Sequence, residues 1–225
     1  MSRKLQLLLS GGVLFFFFLF FSYLVHKDLF TQFDFNMTIR LQDHISRRFD
    51  GIFSSLSELG KVEVMGIVLL VIFVVSRKVL AGIVALGLFI IFHLIEIFGK
   101  FFVDHPPPPE FMLRTQHLVD FPQFYVRSNS SYPSGHAGRT MFISTILLVM
   151  LWQSKRLSHT AKIGLSGFIV CYDLAMLISR PYLGEHWTSD VIGGAIIGTS
   201  FGLITGVVLM HDRHHVQHKA HHVGV

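Results

Sequence analysis

The chain turns at Ser179-Arg180-Pro181-Tyr182-Leu183-Gly184-Glu185-His186-Trp187-Thr188-Ser189-Asp190, between two long apolar runs. His186 and Asp190 are four residues apart, so on a helix they share one face. The carboxylate can then hold one ring nitrogen of the histidine while the other points outward. Arg180 can return over the turn and bind a phosphate group with two hydrogen bonds. This pattern is typical of nucleophilic phosphoryl chemistry. The alternative is that Arg180 and His186 only anchor helix ends at a membrane surface.

Composition predicts a membrane protein. Of the 225 residues, 51% are hydrophobic and 15% are charged, whereas soluble domains carry about 25% charged residues. We therefore expect one membrane-embedded domain over 1–225. The single Cys171 excludes an internal disulfide, and no cysteine cluster indicates a zinc site. Nucleic-acid binding is excluded as well, because the basic residues are scattered and form no stripe.

Six apolar runs are candidates to cross a hydrocarbon core of about 30 Å. They are Leu5–Val25, Val62–Val75, Val79–Val103, Ala137–Trp152, Ile163–Ile178 and Val191–Met210. The second and the fourth are short, so flanking residues must complete them. No Ala-x-Ala site follows the first run, which we interpret as a retained span and not as a signal peptide. The expected fold is an all-α, polytopic bundle of six transmembrane helices.

Lysine and arginine residues predict the orientation, because they accumulate in cytoplasmic loops. With the N-terminus inside, the inner segments hold nine of them: Arg3, Lys4, Arg77, Lys78, Lys155, Arg156, Lys162, Arg213 and Lys219. Both termini are then cytoplasmic, and residues 211–225 form a histidine-rich cytoplasmic tail, with metal binding as its alternative role. Five other cations lie towards the outer side, against this bias: Lys100, Arg114, Arg127, Arg139 and Arg180. We expect residues of this group to bind an anion.

The first outer loop has a helical pattern. From Met37 to Leu56, apolar residues recur at intervals of three and four, with charged residues between them. This pattern predicts an amphipathic helix in the outer interface, after the first span. The helix either guides lipid to a site or packs as an ordinary structural element.

Three elements at span ends are predicted to face the same side of the membrane: Lys100, Ser134-Gly135-His136 and Arg180–Asp190. A Pro-Ser-Gly sequence directly before an apolar helix leaves free backbone amides at a helix N-terminus, which is an anion-binding arrangement. Two acids within the spans have predicted partners. Glu96 can pair with Lys100 one turn later. Asp173 shares a helical face with Arg180 and can either restrain it or neutralise another cation within the membrane.

The motifs from Lys100 to Asp190 resemble those of the type 2 phosphatidic acid phosphatase family. That family has Lys-x6-Arg-Pro, then Pro-Ser-Gly-His, then Ser-Arg-x5-His-x3-Asp. The second motif is complete at Pro133–His136, and the third is complete at Ser179, Arg180, His186 and Asp190. The first motif departs from the pattern, because Pro107-Pro108 stands where the family has Arg-Pro. One phosphate-binding arginine is therefore missing.

The resemblance implies a role for each motif residue. His186 is the nucleophile and forms a phosphohistidine, Asp190 orients it, and His136 is the general acid and base. Lys100, Arg180, Ser134 and Gly135 bind the phosphate, and no metal or cofactor is required. Arg139 is the favoured substitute for the missing arginine. Arg114 and His105 are alternatives, as is a site that is impaired or adapted to a different phosphate.

The implied substrate is a lipid phosphate whose tail stays in the bilayer, and an isoprenoid carrier such as undecaprenyl diphosphate is the leading candidate. Phosphatidylglycerophosphate, phosphatidic acid and lipid A phosphate stay open. Functions from other classes are a lipid phosphotransferase and a non-catalytic protein that binds or translocates lipid. A transporter is a weaker alternative, which Glu96 and Asp173 keep open because a transporter places ionisable groups near the bilayer midplane. A soluble vanadium haloperoxidase has a similar motif set, but the six predicted spans disfavour it.

Overall fold

The computed structural model describes residues 1–76, 79–115 and 130–210. In these ranges it contains the helices α1 (Arg3–His26), α2 (Thr31–His44), α3 (Asp50–Leu59), α4 (Val62–Ser76), α5 (Val79–Phe102), α6 (Gly135–Gln153), α7 (His159–Tyr182) and α8 (Thr188–Leu209). The described ranges contain no strand, which confirms the all-α prediction. Each of the six predicted spans is a helix. The histidine-rich tail and Arg127 lie outside the described residues.

The helices differ in how well they suit a bilayer. Among the described residues, four are long and apolar enough to cross a membrane: Arg3–His26, Leu80–Phe102, His159–Tyr182 and Thr188–Leu209. The helix α4 is apolar but shorter. The helix α6 has 19 residues, and its sequence includes a histidine, an arginine and several hydroxyl side chains. The structure thus confirms a membrane protein with several apolar helices, whereas the number of six spans stays a prediction.

A short turn joins α7 to α8 and places His186 at the ends of both helices. The helix α7 ends before Gly184, whose φ of 71° is a left-handed conformation that glycine adopts without steric cost. The helix α8 begins where the Asp190 carboxylate accepts a hydrogen bond from the Trp187 amide at 2.9 Å. Such a bond satisfies an amide that has no partner inside the helix. Asp190 therefore has a structural function in addition to its contact with His186.

The helix α8 is central and packs closely against α6. A Cβ atom at Gly194 would lie 2.3 Å from the Ser134 carbonyl, and one at Gly198 would lie 2.1 Å from the Gly138 carbonyl. These distances leave no room for a side chain, so the glycines allow the two helix backbones to touch. The close approach holds the N-terminal ends of α6 and α8 side by side.

An aromatic core fills the space between α1, α5, α6 and α8. Its buried members include Phe18, Phe21, Phe89, Phe92, Phe142 and Phe201. The rings of Phe92 and Phe142 are stacked, with centroids 6.0 Å apart. On the opposite faces of α1, α5 and α7, many large apolar side chains are exposed, as expected for surfaces that contact lipid.

The amphipathic segment is divided into the two helices α2 and α3. Ile45 and Ser46 have extended backbone angles, and a single 3₁₀ turn follows at Arg47–Phe49. The hydroxyl of Tyr182 hydrogen-bonds with the Asp50 carboxylate and lies 3.1 Å from the Ser46 carbonyl. These contacts connect the break between α2 and α3 to the end of α7. Both helices pack against α7, and α2 also packs against α8. The segment therefore covers the end of the bundle where α7 turns into α8.

Candidate active site

The structure brings the three predicted elements together at one end of the bundle. Lys100 lies near the end of α5, His136 lies in the first turn of α6, and His186 lies between α7 and α8. The charges of Lys100 and Arg180 are close enough to act on both histidines. The geometry therefore assembles two histidines and two cations, while their chemical roles stay predictions.

His186 lies against Asp190, as the four-residue spacing predicts. The distance from His186 Nδ1 to Asp190 Oδ2 is 3.4 Å, and the histidine is only 9% exposed. Burial lowers the pKa of His186, the cations Lys100 and Arg180 add to this effect, and Asp190 opposes it. The imidazole is thus favoured in its neutral form, which carries the lone pair that a nucleophile needs.

The start of α6 differs from the predicted phosphate cradle in one detail. The Ser134 amide donates a hydrogen bond to the Asp190 carbonyl at 3.0 Å, so this amide is occupied by protein. The Ser134 hydroxyl caps α6 by accepting from the Ala137 amide at 3.5 Å. The amides of Gly135 and His136 have no acceptor inside the helix, because they belong to its first turn. These two amides are the better candidates for an anion.

Arg180 is fully buried, and part of its guanidinium has no partner. Its Nη1 donates to the Ser57 hydroxyl at 2.6 Å, and its Nη2 forms an ion pair with Glu185. In the described part of the chain, no acceptor hydrogen-bonds with its Nε. Asp173, which the sequence offered as one possible restraint on Arg180, accepts a hydrogen bond from the Ser144 hydroxyl at 2.5 Å. A buried cation with an unsatisfied donor favours an anionic ligand.

Arg139 lies beside His136, but its guanidinium already contacts protein groups. Its Nη1 is 2.7 Å from the Glu96 carboxylate, and its Nε donates to the Gly60 carbonyl at 3.0 Å. Glu96 also contacts His93 at 3.0 Å. Glu96 therefore pairs with Arg139 and His93, whereas the sequence spacing indicated Lys100. The role of Arg139 as the substitute for the missing arginine stays a prediction.

The two alternative substitutes have other contacts. The guanidinium carbon of Arg114 lies 5.2 Å from the centroid of the Tyr182 ring, which is a cation–π distance. His105 lies between two carboxylates, with Asp190 2.8 Å from its Nδ1 and Asp34 3.6 Å from its Nε2. Because both ring nitrogens of His105 face acids, its imidazole is directed away from an anion.

Sequence reasoning missed the contribution of α2 and α3 to the site. Ser57 contacts Arg180, and Gly60 packs against His136. The Asp34 carboxylate accepts hydrogen bonds from the amide of Ser189 at 2.7 Å and from its hydroxyl at 2.6 Å. A Cβ atom at Gly60 would lie 2.7 Å from His136 Cδ2. Nothing in the local sequence distinguishes these residues from others in an amphipathic helix, because their partners are more than 70 residues away.

An apolar groove runs beside the site, between α2, α7 and α8. Its volume is about 330 Å³, and apolar atoms line it almost entirely, with Met37, Leu41, Leu177, Ile192 and Ile196 among the lining residues. Pro181 and Thr188 also line it, so the groove reaches the helix ends that carry the site. Within the described ranges, no group of three or more His, Cys, Asp or Glu side chains is arranged to hold a metal ion.

Comparison with known proteins identifies the family. A family model described as the PAP2 superfamily matches residues 78–213. A protein of Sulfolobus acidocaldarius named undecaprenyl-diphosphatase is 32% identical over 131 residues, which are 58% of this chain and 55% of that protein. The matched segment thus spans little more than half the length of this relative.

Two solved structures share the fold. The crystal structure of a PAP2-type phosphatidylglycerolphosphate phosphatase from Bacillus subtilis has a TM-score of 0.69 and 20% sequence identity, over 87% of this chain and 94% of that one. The crystal structure of Aquifex aeolicus LpxE has a TM-score of 0.56 and 21% identity, over 77% of this chain and 94% of that one. The motif residues, the shared fold and the family match agree with one another. The chain belongs to the PAP2 superfamily, the family that its second and third motifs resemble.

Proposed function

We propose that the protein is an integral membrane phosphatase that hydrolyses a lipid phosphate through a phosphohistidine on His186. The observation that carries this proposal is the buried Arg180, whose Nε has no acceptor in the described part of the chain. Two histidines and Lys100 lie beside it. A phosphoryl group would supply acceptors to Arg180 and would face a nucleophile at the same time.

The first step transfers the phosphoryl group to the protein. With Nδ1 of His186 directed at Asp190, its Nε2 attacks phosphorus in line with the bond to the lipid oxygen. The P–N bond forms as the P–O bond breaks, and the imidazolium of His136 gives its proton to the leaving oxygen. Burial and the cations Arg180 and Arg139 lower the pKa of His136, so its imidazolium form depends on the negative charge of the bound phosphate, which favours protonation. Asp190 stabilises the positive charge that develops on His186. Lys100 and Arg180 stabilise the negative charge on the phosphoryl oxygens.

The second step releases phosphate. His136, now neutral, takes a proton from water as the water attacks phosphorus, and the P–N bond breaks with its electron pair returning to His186. Such acid–base assistance typically contributes about 10²–10⁴-fold to the rate. Both histidines then regain their starting protonation states, so the cycle needs no other reactant than water.

An isoprenoid diphosphate is the favoured substrate. The relative in Sulfolobus acidocaldarius named undecaprenyl-diphosphatase supports this choice. The apolar groove of about 330 Å³ also supports a substrate with a hydrocarbon tail, because it reaches Pro181 and Thr188, close in sequence to Arg180 and His186. The tail would lie in this groove while the phosphate lies between the histidines.

The proposed location is the cell membrane, with both termini in the cytoplasm and the site on the outer face. The distribution of lysine and arginine supports this orientation. The test uses the Cys171→Ser protein with single cysteines added at exposed positions. A membrane-impermeant maleimide should label Gln32→Cys in intact cells and label Lys155→Cys only after permeabilisation. The reverse pattern would contradict the orientation.

The decisive experiment measures phosphate release in detergent from undecaprenyl diphosphate, phosphatidylglycerophosphate, phosphatidic acid and lipid A phosphate. We expect the diphosphate to be hydrolysed fastest and His186→Ala to be inactive. Acid-labile phosphate should accumulate on the His136→Ala protein, since His136 is needed to release it. If none of the four lipids is hydrolysed, the phosphatase proposal is refuted. Transfer of the phosphoryl group to a second lipid without free phosphate would indicate a phosphotransferase instead.

A further inference from the structure

Asp190 is shared between two histidines. Its Oδ2 faces Nδ1 of His186 at 3.4 Å and accepts from the Trp187 amide at 2.9 Å. Its Oδ1 faces Nδ1 of His105 at 2.8 Å. The shorter of the two histidine contacts is therefore the one to His105, which occupies a variable position of the first motif. Asp190 is fully buried, so protein groups orient its carboxylate.

His105 is in turn held by a second buried carboxylate. Asp34 lies 3.6 Å from its Nε2 and is fixed by two hydrogen bonds from Ser189, the residue next to Asp190. The carbonyl of His105 accepts from the Ser131 amide at 2.9 Å, which fixes its backbone as well. The result is a continuous row of alternating acids and imidazoles, from Asp34 through His105 and Asp190 to His186.

The protonation of His105 follows from this arrangement. Nδ1 of His105 is within hydrogen-bond distance of Asp190, and its Nε2 is at ion-pair distance from Asp34. The imidazolium form, which carries a proton on both nitrogens, therefore interacts favourably with both carboxylates. Burial disfavours that form, but Asp190, Asp34 and the more distant Asp28 outweigh it and raise the pKa of His105. A positively charged His105 also reduces the repulsion between the two buried acids.

We propose that His105 is a positioning residue for phosphoryl transfer, which rests on the function proposed above. Held by Asp34, it fixes the plane of the Asp190 carboxylate so that Oδ2 remains directed at Nδ1 of His186. His186 is thereby kept in the tautomer that presents its Nε2 lone pair to phosphorus. His105 touches neither the substrate nor the reacting atoms.

A purely structural role predicts different results. If His105 only fixes the segment after α5 to α8, its loss should lower thermal stability while the turnover of the folded protein is unchanged. If it positions Asp190, its loss should lower kcat with little change in KM, because phosphate binding by Lys100 and Arg180 is retained. Partners that orient a metal-bound histidine typically contribute about 10–100-fold, and we expect a loss of the same order here.

The test compares His105→Ala and His105→Asn in the full-length protein, with undecaprenyl diphosphate as substrate. We expect kcat of His105→Ala to fall about 10–100-fold with KM within about twofold of the unmodified protein. Added imidazole should restore part of the rate by occupying the vacated space. His105→Asn keeps a donor towards Asp190 but cannot reach Asp34, so its kcat should be intermediate. If His105→Ala does not fold, the test rests on His105→Asn alone. An unchanged kcat of the folded variant overturns the proposal.

The control is His26→Ala. His26 is an exposed histidine at the same end of the bundle, and it accepts a weak hydrogen bond from the amide of Asp104, next to His105. Its loss should leave kcat unchanged. Equal losses in His26→Ala and His105→Ala would indicate a general disturbance of this segment and would overturn the positioning role.

A second measurement does not depend on turnover. In ¹⁵N-histidine-labelled protein, the His186 resonances should report the Nδ1–H tautomer in the unmodified protein and a mixture of tautomers in His105→Ala. The same His186 tautomer in both proteins would refute the inference. Absence of phosphate release by the unmodified protein would refute the proposed function instead, and the His186 signal would still decide the role of His105.

Discussion

Replacing Gly198 by alanine is expected to separate α6 from α8 and to slow turnover about 100-fold. A Cβ atom at this position would lie 2.1 Å from the Gly138 carbonyl oxygen, 2.8 Å from its carbonyl carbon and 2.9 Å from its Cα. All three contacts are with backbone, which cannot rotate out of the way as a flexible side chain can.

The size of the effect follows from these distances. An ordinary contact begins at 3.4 Å, so the helices must part by about 1 Å before the methyl group fits. Gly138 is two residues after His136, and Gly198 lies on the helix that carries Asp190, so the separation also moves His136 away from His186. A misplacement of about 1 Å in reacting groups costs about 10²-fold in rate. Overpacking of this kind also costs about 1–3 kcal/mol of stability.

A graded glycine series is the appropriate assay. Phosphate release and thermal unfolding are measured for Gly198→Ala, Gly206→Ala and Gly167→Ala. A Cβ atom at Gly206 would meet only the side chain of Val149, at 3.1 Å, and one at Gly167 would have no atom within 4 Å in the described structure. Activity should therefore fall strongly, slightly and not at all, in that order. Normal turnover of Gly198→Ala would refute the argument that backbone contact between α6 and α8 sets the distance between the two histidines.

Three further predictions concern the site itself. Burial and nearby cations lower the pKa of His186, so this nucleophile stays neutral in more acidic solution. The acidic limb of the pH profile of kcat/KM should therefore lie below pH 6.5, and a limb above that value would contradict the lowered pKa. If Arg139 replaces the missing arginine, Arg139→Ala should reduce activity as much as Lys100→Ala does. Full activity of the double variant Glu96→Gln, Arg139→Met would instead show that Arg139 only neutralises Glu96. Ala195→Trp fills the apolar groove, so it should raise KM about 10-fold for a long-chain lipid phosphate and leave KM for a short-chain lipid phosphate unchanged. Equal effects on the two substrates would exclude the groove as the site of the lipid tail.

Much of the fold could be predicted because membrane helices depend on local composition. Each of the six apolar runs is a helix, and the ends agree within a few residues for α4 and α5. The break between α2 and α3 could not be predicted, because the apolar pattern continues through it. The contacts of Tyr182 with Asp50 and Ser46, across more than 130 residues, accompany that break. Helical periodicity carries no information about such a distant partner.

Within the site, contacts between residues close in sequence were predicted better than contacts between helices. His186 lies against Asp190, four residues away on the same element. The partners of the acids within the spans were predicted less well, since Glu96 contacts Arg139 on another helix, and Asp173 contacts Ser144 on α6. A neighbour in the same helix is only one of several groups that can satisfy a buried acid.

The helices, the motif residues and the spacing of His186 and Asp190 could be predicted without a structure, because they depend on composition and on the helical repeat. The surroundings of these residues depend on the packing of the helices. This packing places Ser57 on Arg180, Gly60 on His136, and His105 between Asp34 and Asp190. These contacts depend on how closely α8 approaches its neighbours and on how α2 and α3 cover the end of the bundle. Such distances are set by packing between segments far apart in the chain, which no local pattern encodes.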